Sequence, residues 1–223
     1  MKKLIIFDVD GTILDTIETI TYHVNKMLKT LDLEAVSSSF TGGILGYSSK
    51  YLIEKVLDHK GYSYDEEELE RLLDVYHKSY QSEVAYLTKP YSGIVHLLEK
   101  LKDEGLFLAA LSNKPHHTLS VLFKEIDFNK YFDYVIGQRD DVPKKPSPDM
   151  VFEIMDKFDL DKDDLCMIGD TEVDYETAKN AKIEFIAVTW GFRTKDELLE
   201  LNPEFIADDV TELGALIDRE DVL

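Results

Sequence analysis

The chain has 223 residues, of which 44% are hydrophobic, so it carries enough apolar side chain for a packed core and too much for a disordered protein. Its formal net charge of −20 excludes nucleic acids and anionic membranes as expected partners, because both attract basic surfaces. Its single cysteine, Cys166, excludes an intramolecular disulfide. The sequence shows neither a signal peptide nor a membrane-spanning apolar run, and it therefore predicts a cytoplasmic protein.

The first predicted element is a short buried strand over residues 3–8, rich in branched and aromatic side chains. It ends in Asp8 and Asp10, which are followed at once by Gly11. Open α/β sheets place their ligands at the carboxyl ends of strands. Two ionised carboxylates this close repel each other, and a divalent metal with oxygen ligands would neutralise them. The alternative is that Asp10 and Gly11 simply begin a surface turn.

A helical stretch is predicted next, over residues 16–82. Apolar residues recur at three- and four-residue steps and form one helix face, namely Ile17, Ile20, Val24, Met27, Leu28 and Leu31. Further helices are predicted over residues 48–59 and 65–80. Asp65 and Glu68 have the spacing of a capping box at the start of the last one.

The pattern then changes to alternating strands and helices. One helix is predicted from Ile94 to Gly105, where glycine is typical just past a helix end. Strands are predicted over residues 106–112, 134–137, 165–170, 184–190 and 205–207. This alternation indicates an α/β fold with a doubly wound parallel sheet. Residues 1–15 and 88–223 would form the core domain, and residues 16–87 an inserted α-helical cap with hinges near residues 15–16 and 87–91.

Polar residues follow the predicted strands at the ends where ligands bind. Ser112-Asn113-Lys114 ends the second core strand, Lys144-Lys145-Pro146 lies in a loop before a helix, and Gly169-Asp170 is followed by Asp174 one turn later. Carboxylates, a hydroxyl and a lysine at one sheet edge suit a phosphate bound to a metal.

These motifs resemble, in order and spacing, those of the haloacid dehalogenase superfamily of phosphatases. The motifs are Asp8-Val9-Asp10-Gly11-Thr12, Ser112-Asn113-Lys114, Lys145 before Pro146, and Gly169-Asp170 to Asp174. The helical insertion is similar to the cap of the phosphoglycolate phosphatase and beta-phosphoglucomutase branch. Pro90-Tyr91-Ser92-Gly93 and Ser112-Asn113-Lys114-Pro115 are most like the phosphoglycolate phosphatase group.

The resemblance implies a role for each motif residue. Asp8 would attack phosphorus and form an aspartyl-phosphate, and Asp10 would act as general acid and then general base. Magnesium would be held by Asp8, the backbone carbonyl of Asp10, and Asp170. Ser112, Asn113 and Lys145 would bind the phosphoryl group, and Asp174 would orient a metal-bound water or Lys145.

The expected function is magnesium-dependent hydrolysis of a small anionic phosphorylated metabolite resembling phosphoglycolate, by a monomer or weak homodimer. One alternative is a sugar-phosphate mutase like beta-phosphoglucomutase. That branch has a histidine where this chain has Ile20, and an arginine where it has Ser49. Inorganic pyrophosphatase activity is a second alternative, and a non-catalytic phosphate- or metal-binding protein is a third.

The cap loop from Gly42 to Tyr47 is predicted to read the leaving group, because a glycine-rich segment can approach a ligand closely. Tyr47 and Lys50 are the predicted specificity residues. The alternative is a plain connection between helices. His23 and His77 lie on cap helices, where structural roles are expected.

Overall fold

The computed structural model describes residues 2–219, which form a six-stranded sheet flanked by helices. The strands are β1 (Leu4–Phe7), β2 (Leu14–Asp15), β3 (Lys89–Pro90), β4 (Phe107–Pro115), β5 (Tyr134–Gln138), β6 (Leu165–Gly169), β7 (Glu184–Val188) and β8 (Phe205–Ala207). The helices are α1 (Ile17–Lys29), α2 (Ser38–Gly42), α3 (Ser49–His59), α4 (Glu66–Ser82), α5 (Ile94–Asp103), α6 (His116–Glu125), α7 (Asp149–Phe158), α8 (Glu172–Ala181), α9 (Lys195–Glu200) and α10 (Val210–Asp218).

The main sheet is parallel throughout, with the strand order β5-β4-β1-β6-β7-β8. Phe7 at the end of β1 lies opposite Ala110 of β4 and Ile168 of β6. The strand order therefore changes direction around β1, and its carboxyl end is the topological switch point where such sheets bind ligands. The motifs that follow β1, β4 and β6 consequently meet at one edge.

Apolar side chains alternate between the two faces of the sheet. Leu4 and Ile6 belong to one buried cluster, covered by α7, α8 and α9, whereas Ile5 and Phe7 belong to another, covered by α5, α6 and α10. Helices on both faces confirm the predicted doubly wound fold. The second cluster continues into the helical insertion through side chains such as Val24 of α1.

The helices of the insertion agree closely with the sequence pattern. Ser48 caps α3 by accepting a hydrogen bond from the Tyr51 amide at 3.4 Å, and Asp65 caps α4 by accepting one from the Glu68 amide at 2.9 Å. The predicted capping box at α4 is incomplete, because the Glu68 carboxylate accepts from Arg71 at 2.7 Å instead. Helix α2 has only five residues, too few for a periodic apolar pattern, and was not predicted.

Both predicted hinges meet in a small antiparallel pair of strands. Leu14 of β2 pairs with Pro90 of β3, and Asp15 pairs with Lys89. Residues 16–87, named the cap segment below, thus leave and rejoin the sheet region side by side. The division into two domains stays a prediction, and its ends at residue 1 and residues 220–223 lie outside the described residues. None of the helices described is both long and apolar enough to cross a bilayer.

Two strand ends, those of β4 and β7, differ from the prediction by more than one residue. Strand β4 continues to Pro115, because its backbone stays extended through an irregularity between Ser112 and Pro115 and pairs again with Gln138. Strand β7 ends at Val188, because its pairing with β8 ends there and Trp190 already lies in the following turn. Neither change moves the predicted motifs away from the sheet edge.

Candidate active site

A cavity lies between the carboxyl edge of the sheet and the cap segment, with residues from both in its walls. The cavity has a volume of about 70 Å³, which suits a small molecule. The structure brings together there most of the predicted site residues, namely Asp8, Asp10, Tyr47, Ser112, Asn113, Lys145 and Asp174.

Lys145 is the cation at the centre of the site, and its side chain is only 2% exposed. Its ammonium donates to Asp8 Oδ1 at 2.6 Å, to Asp174 Oδ1 at 2.7 Å and to the Leu111 carbonyl at 3.4 Å. Burial alone would lower the pKa of Lys145, but the charges of Asp174 and Asp8 outweigh it and raise that pKa. The lysine is therefore positively charged and held in one place.

Asp8 occupies the position predicted for the nucleophile, directly after β1. Burial, and next the charge of Asp174, raise the pKa of Asp8 well above its ordinary value, whereas Lys145 opposes that shift. The anionic form of Asp8 therefore depends on positive charge beside it. Lys145 supplies one such charge.

Asp170 is fully buried directly after β6. Its Oδ1 accepts a hydrogen bond from the Thr12 hydroxyl at 2.8 Å, and its Oδ2 accepts one from the Phe192 amide at 2.7 Å. A Cβ added at Gly11 or Gly191 would lie 2.3 or 2.2 Å from Asp170 Oδ2, so only glycine leaves room for this carboxylate. Burial, and next Asp174, raise the pKa of Asp170 to about 7.

The carboxylates fit a divalent metal ion. Asp8, Asp170 and Asp174 can each place an oxygen within 4.8 Å of the others. Asp10 adds a fourth carboxyl group, and the four face two ammonium groups, Lys114 and Lys145. The acidic groups thus outnumber the basic ones by two, an excess that a divalent cation would balance, and oxygen-only donors suit a hard cation.

Asp174 is tied to protein donors on both of its oxygens. Its Oδ1 accepts from Lys145, and its Oδ2 accepts from the Thr171 hydroxyl at 2.6 Å and the Thr171 amide at 3.1 Å. Among the described residues, each Asp170 oxygen accepts one hydrogen bond, from Thr12 or from Phe192, whereas Asp174 accepts three in all, one of them from the charged Lys145. Asp174 is therefore the more fully satisfied carboxylate, which favours Asp170 as the metal ligand and Asp174 as the group that orients Lys145.

Asp10 lies apart from the three clustered carboxylates. Its Oδ1 is 3.0 Å from the ammonium of Lys114, but no described donor makes an aligned hydrogen bond to this atom. A carboxyl oxygen without an aligned hydrogen-bond donor can exchange a proton with a bound molecule. The predicted metal contact of Asp10 concerns its backbone carbonyl and stays a prediction.

Ser112 and Asn113 are buried at the end of the predicted strand. The Asn113 amide group donates to the Gly46 carbonyl at 3.1 Å and to the Lys145 carbonyl at 3.0 Å. Both of its N–H donors are therefore taken, so the predicted phosphate contact cannot come from this side chain as it is placed. Asn113 instead ties the cap segment to the loop that carries Lys145.

A second tie to the cap segment was missed by the sequence analysis. Arg193 donates to the Gly42 carbonyl at 3.1 Å and the Leu45 carbonyl at 2.8 Å, while Glu172 holds its guanidinium at 2.7 Å. Gly46, at φ +111°, lies so close to Thr171 that an added Cβ would be 3.2 Å from the Thr171 hydroxyl. The glycine-rich loop therefore approaches the core closely, while its predicted approach to a ligand stays a prediction, and no motif marks Arg193.

The two predicted specificity residues lie in different places. Tyr47 lines the cavity and is 38% exposed. Lys50 is not among the lining residues, because it pairs with Glu66 and Glu70 at the start of α4, on the outside of the cap segment.

The cap histidines also differ from each other. His23 is fully buried and bonds to Ser79 at 2.8 Å, as a structural residue would. His77 lines the cavity, where its Nε2 lies 2.8 Å from the hydroxyl of Ser49. A structural role was predicted for both, and the position of His77 adds a polar group to the cap side of the site.

Comparison with known proteins finds similar hydrolases. Residues 5–188 match the family model of haloacid dehalogenase-like hydrolases. A phosphoglycolate phosphatase from Aquifex aeolicus is 30% identical, with 97% of each chain covered. Phosphoglycolate phosphatase 1 of Pseudomonas aeruginosa is 28% identical over 98% of this chain and 81% of that protein.

Solved structures show the same likeness. The crystal structure of a candidate phosphoglycolate phosphatase from Lactobacillus delbrueckii subsp. bulgaricus has a TM-score of 0.93 at 30% identity, covering 99% of this chain and 100% of that one. A family model that matches most of the chain, together with a fold shared over its full length, decides the family. The chain belongs to the haloacid dehalogenase-like hydrolases.

Proposed function

We propose that the chain is a magnesium-dependent phosphatase that hydrolyses a small phosphomonoester of the phosphoglycolate type through an aspartyl-phosphate on Asp8. The observation that carries this proposal is the buried contact of 2.6 Å between Asp8 and Lys145 in a cavity shared with the cap segment. The phosphoglycolate phosphatases among the relatives support the substrate class. Residues 16–87 act as the cap domain in this proposal.

In the first step, an oxygen of Asp8 attacks phosphorus and the bond to the leaving-group oxygen breaks. Asp10 gives its proton to that oxygen, so the leaving group departs as an alcohol. Lys145 stabilises the negative charge on the transferring oxygens, which matters because a carboxylate is a weak nucleophile. Asp174 keeps Lys145 in position through its contact of 2.7 Å.

In the second step, water attacks the phosphorus of the aspartyl-phosphate. Asp10, now a carboxylate, takes the proton of that water, and the bond between phosphorus and Asp8 breaks. Inorganic phosphate leaves and Asp8 is restored. One residue serves both steps because the first leaves it in the state that the second requires.

Asp8 and Asp170 would hold the magnesium ion, with the backbone carbonyl of Asp10. When bound, the ion supplies positive charge that reduces repulsion between carboxylate and phosphate. Thr12 and the backbone of Phe192 keep Asp170 in place by donating to its two oxygens.

The mutase alternative receives less support from the cavity. Ile20 lines the cavity at the position where that branch has a histidine, and it has no group that can bind a sugar hydroxyl. Ser49, where the mutase branch has an arginine, bonds to His77. Pyrophosphate hydrolysis uses the same core chemistry and is an outcome of the experiment below.

The test is an assay of phosphate release from phosphoglycolate, a sugar phosphate, an aryl phosphate and pyrophosphate, combined with acid quenching of the enzyme during turnover. We expect phosphoglycolate to be the preferred ester and a phosphorylated peptide to contain Asp8. Asp8→Asn should lose turnover by roughly 10⁴-fold or more and give no phosphorylated peptide. Near-normal kcat in this variant would contradict the covalent mechanism, and preference for pyrophosphate would contradict the substrate class.

A further inference from the structure

Lys114 is a second buried cation in the cavity, and the proposed chemistry gives it no role. Its side chain is 8% exposed and belongs to the irregular end of β4. Its ammonium is 3.0 Å from Asp10 Oδ1, 3.2 Å from the Tyr80 hydroxyl and 4.8 Å from the centre of the Tyr80 ring. It therefore lies where the core meets the cap segment, on the side of Asp10 and hence of the leaving group.

The two buried lysines differ in how many of their donors are occupied. An ammonium group has three N–H donors. Lys145 has three acceptors, two carboxylates and the Leu111 carbonyl. Among the described residues Lys114 donates one aligned hydrogen bond, to the Tyr80 hydroxyl, and forms an ion pair with Asp10 without an aligned hydrogen bond. Lys114 thus keeps at least one donor for a molecule in the cavity.

The described cap residues in the cavity wall opposite these lysines carry no charged side chain that could attract or repel a bound anion. Eleven cap residues line the cavity, and none of these described residues is an Asp, Glu, Lys or Arg. This is notable in a chain with 45 acidic residues. Ile20 and Leu52 make part of the wall apolar, while Ser49 and His77 supply polar groups that already bond to each other.

Sugars and compact anions place different demands on such a wall. A sugar carries several hydroxyls, and each would need a hydrogen-bond partner when buried. A compact anion needs one strong cationic donor, which is worth more in a partly dry cavity than in water. In the proposed chemistry Lys145 stabilises the reacting phosphoryl group by its charge, while its donors are held by Asp8, Asp174 and Leu111. Lys114 is therefore the cation with a donor left for a second anion.

We propose that Lys114 determines specificity by binding a carboxylate on the leaving group, so that the preferred substrates are short phosphomonoesters that carry this second negative charge. The inference rests on the proposed phosphatase function and deepens it. A neutral analogue would leave one buried N–H of Lys114 without a partner, which penalises its binding.

The experiment compares phosphoglycolate with its neutral amide, phosphoglycolamide, which keeps the size of the leaving group and removes its charge. The quantity measured is the ratio of kcat/KM for the acid to kcat/KM for the amide. We expect wild type to prefer the acid, and Lys114→Met to lower this ratio by about 30-fold, as expected for loss of one partner of a buried charge pair. Using a ratio cancels any effect that Lys114 exerts on Asp10 for both esters.

Three further variants complete the design. Lys114→Arg should retain most of the preference, because it keeps the charge, and Lys144→Met, which removes an exposed lysine, should leave the ratio unchanged. Should Lys114→Met fail to fold by circular dichroism, Lys114→Gln provides the same loss of charge with a polar group. Equal losses on both esters, or a wild type without preference for the acid, would overturn the inference while the phosphatase proposal stands. A wild type that hydrolyses neither ester overturns both.

Discussion

The two walls of the cavity differ in the kind of residue they supply. The core wall contains two sets of ion pairs, Lys114 with Asp10, and Lys145 with Asp8 and Asp174. The described cap residues that line the cavity are all uncharged. The comparison predicts that the reaction and the choice of substrate depend on different side chains. Changes to Asp8, Lys145 or Asp174 should therefore affect every ester alike, whereas changes to Lys114 or to the cap wall should depend on the leaving group.

Removal of metal should have the largest effect and test the core wall. Chelation should abolish hydrolysis of all esters, and magnesium should restore it better than calcium, whose looser coordination places Asp8 less accurately. Magnesium should also raise the midpoint of thermal unfolding of wild type, because a ligand that binds only the native state adds about 2.7 kcal/mol at one hundred times its Kd.

Two variants make that measurement specific. Asp170→Asn should lose the shift in the unfolding midpoint, while Asp103→Asn, at an exposed carboxylate on α5, should keep it. Full turnover after exhaustive chelation would contradict the metal site, and so would a shift that persists in Asp170→Asn.

Weakening the hydrogen bonds between Arg193 and the cap loop should have an intermediate effect on activity. In Arg193→Lys a single ammonium cannot span Glu172 and the carbonyls of Gly42 and Leu45, so the cap loop loses one or two hydrogen bonds. We expect kcat/KM to fall about 10-fold for all esters, mainly through a higher KM. The control is Arg71→Lys, at an arginine that bonds to Glu68 on the exposed surface of the cap segment. Equal behaviour of the two variants would show that these contacts do not assist binding.

A smaller effect is expected on the cap wall itself. Tyr47→Ala should change the ranking of phosphoglycolate, a sugar phosphate and an aryl phosphate by a few-fold in kcat/KM, because Tyr47 lines the cavity. Lys50→Ala should change each value by less than about twofold, since exposed ion pairs such as that with Glu66 contribute little. A uniform loss from Tyr47→Ala, or a change in ranking from Lys50→Ala, would contradict the division of roles.

The smallest expected effect is on the pH dependence of the free energy of unfolding, through His23 in the cap segment. Burial lowers the pKa of His23, so the unfolded chain binds the proton more tightly than the native state does. The contribution of His23 to the free energy of unfolding is therefore fully present above about pH 6.5 and is lost as pH falls through its lower native pKa. His23→Asn, which keeps a hydrogen-bonding group for Ser79 and removes the titrating one, should flatten the pH dependence of the unfolding midpoint below about pH 6.5. An unchanged slope would show that His23 does not titrate in this way.

Much of the core was predictable because its signals are local. Each of these signals spans fewer than about ten consecutive residues, the usual length of a strand and its turn. Examples are the apolar run before Asp8, the strand before Asp170 and the end of α5 at Gly105. Parallel strands align their carboxyl ends, so an ordered set of strand-ending polar residues predicts one site. The positions of Asp8, Ser112 and Lys145 in one cavity follow from this.

The contacts across the cavity depend on residues far apart in the chain, and only the tertiary structure decided them. Lys114 with Asp10, and Arg193 with Leu45, are pairs that no local spacing marks. Lys50 has the same charge as a ligand-binding lysine, yet helix geometry turns it toward Glu66. The sequence alone thus determined which groups are present at the sheet edge, since strand ends are set locally. Packing of the cap segment on the core determined which of them face a ligand and which are already paired, since that depends on distances between elements.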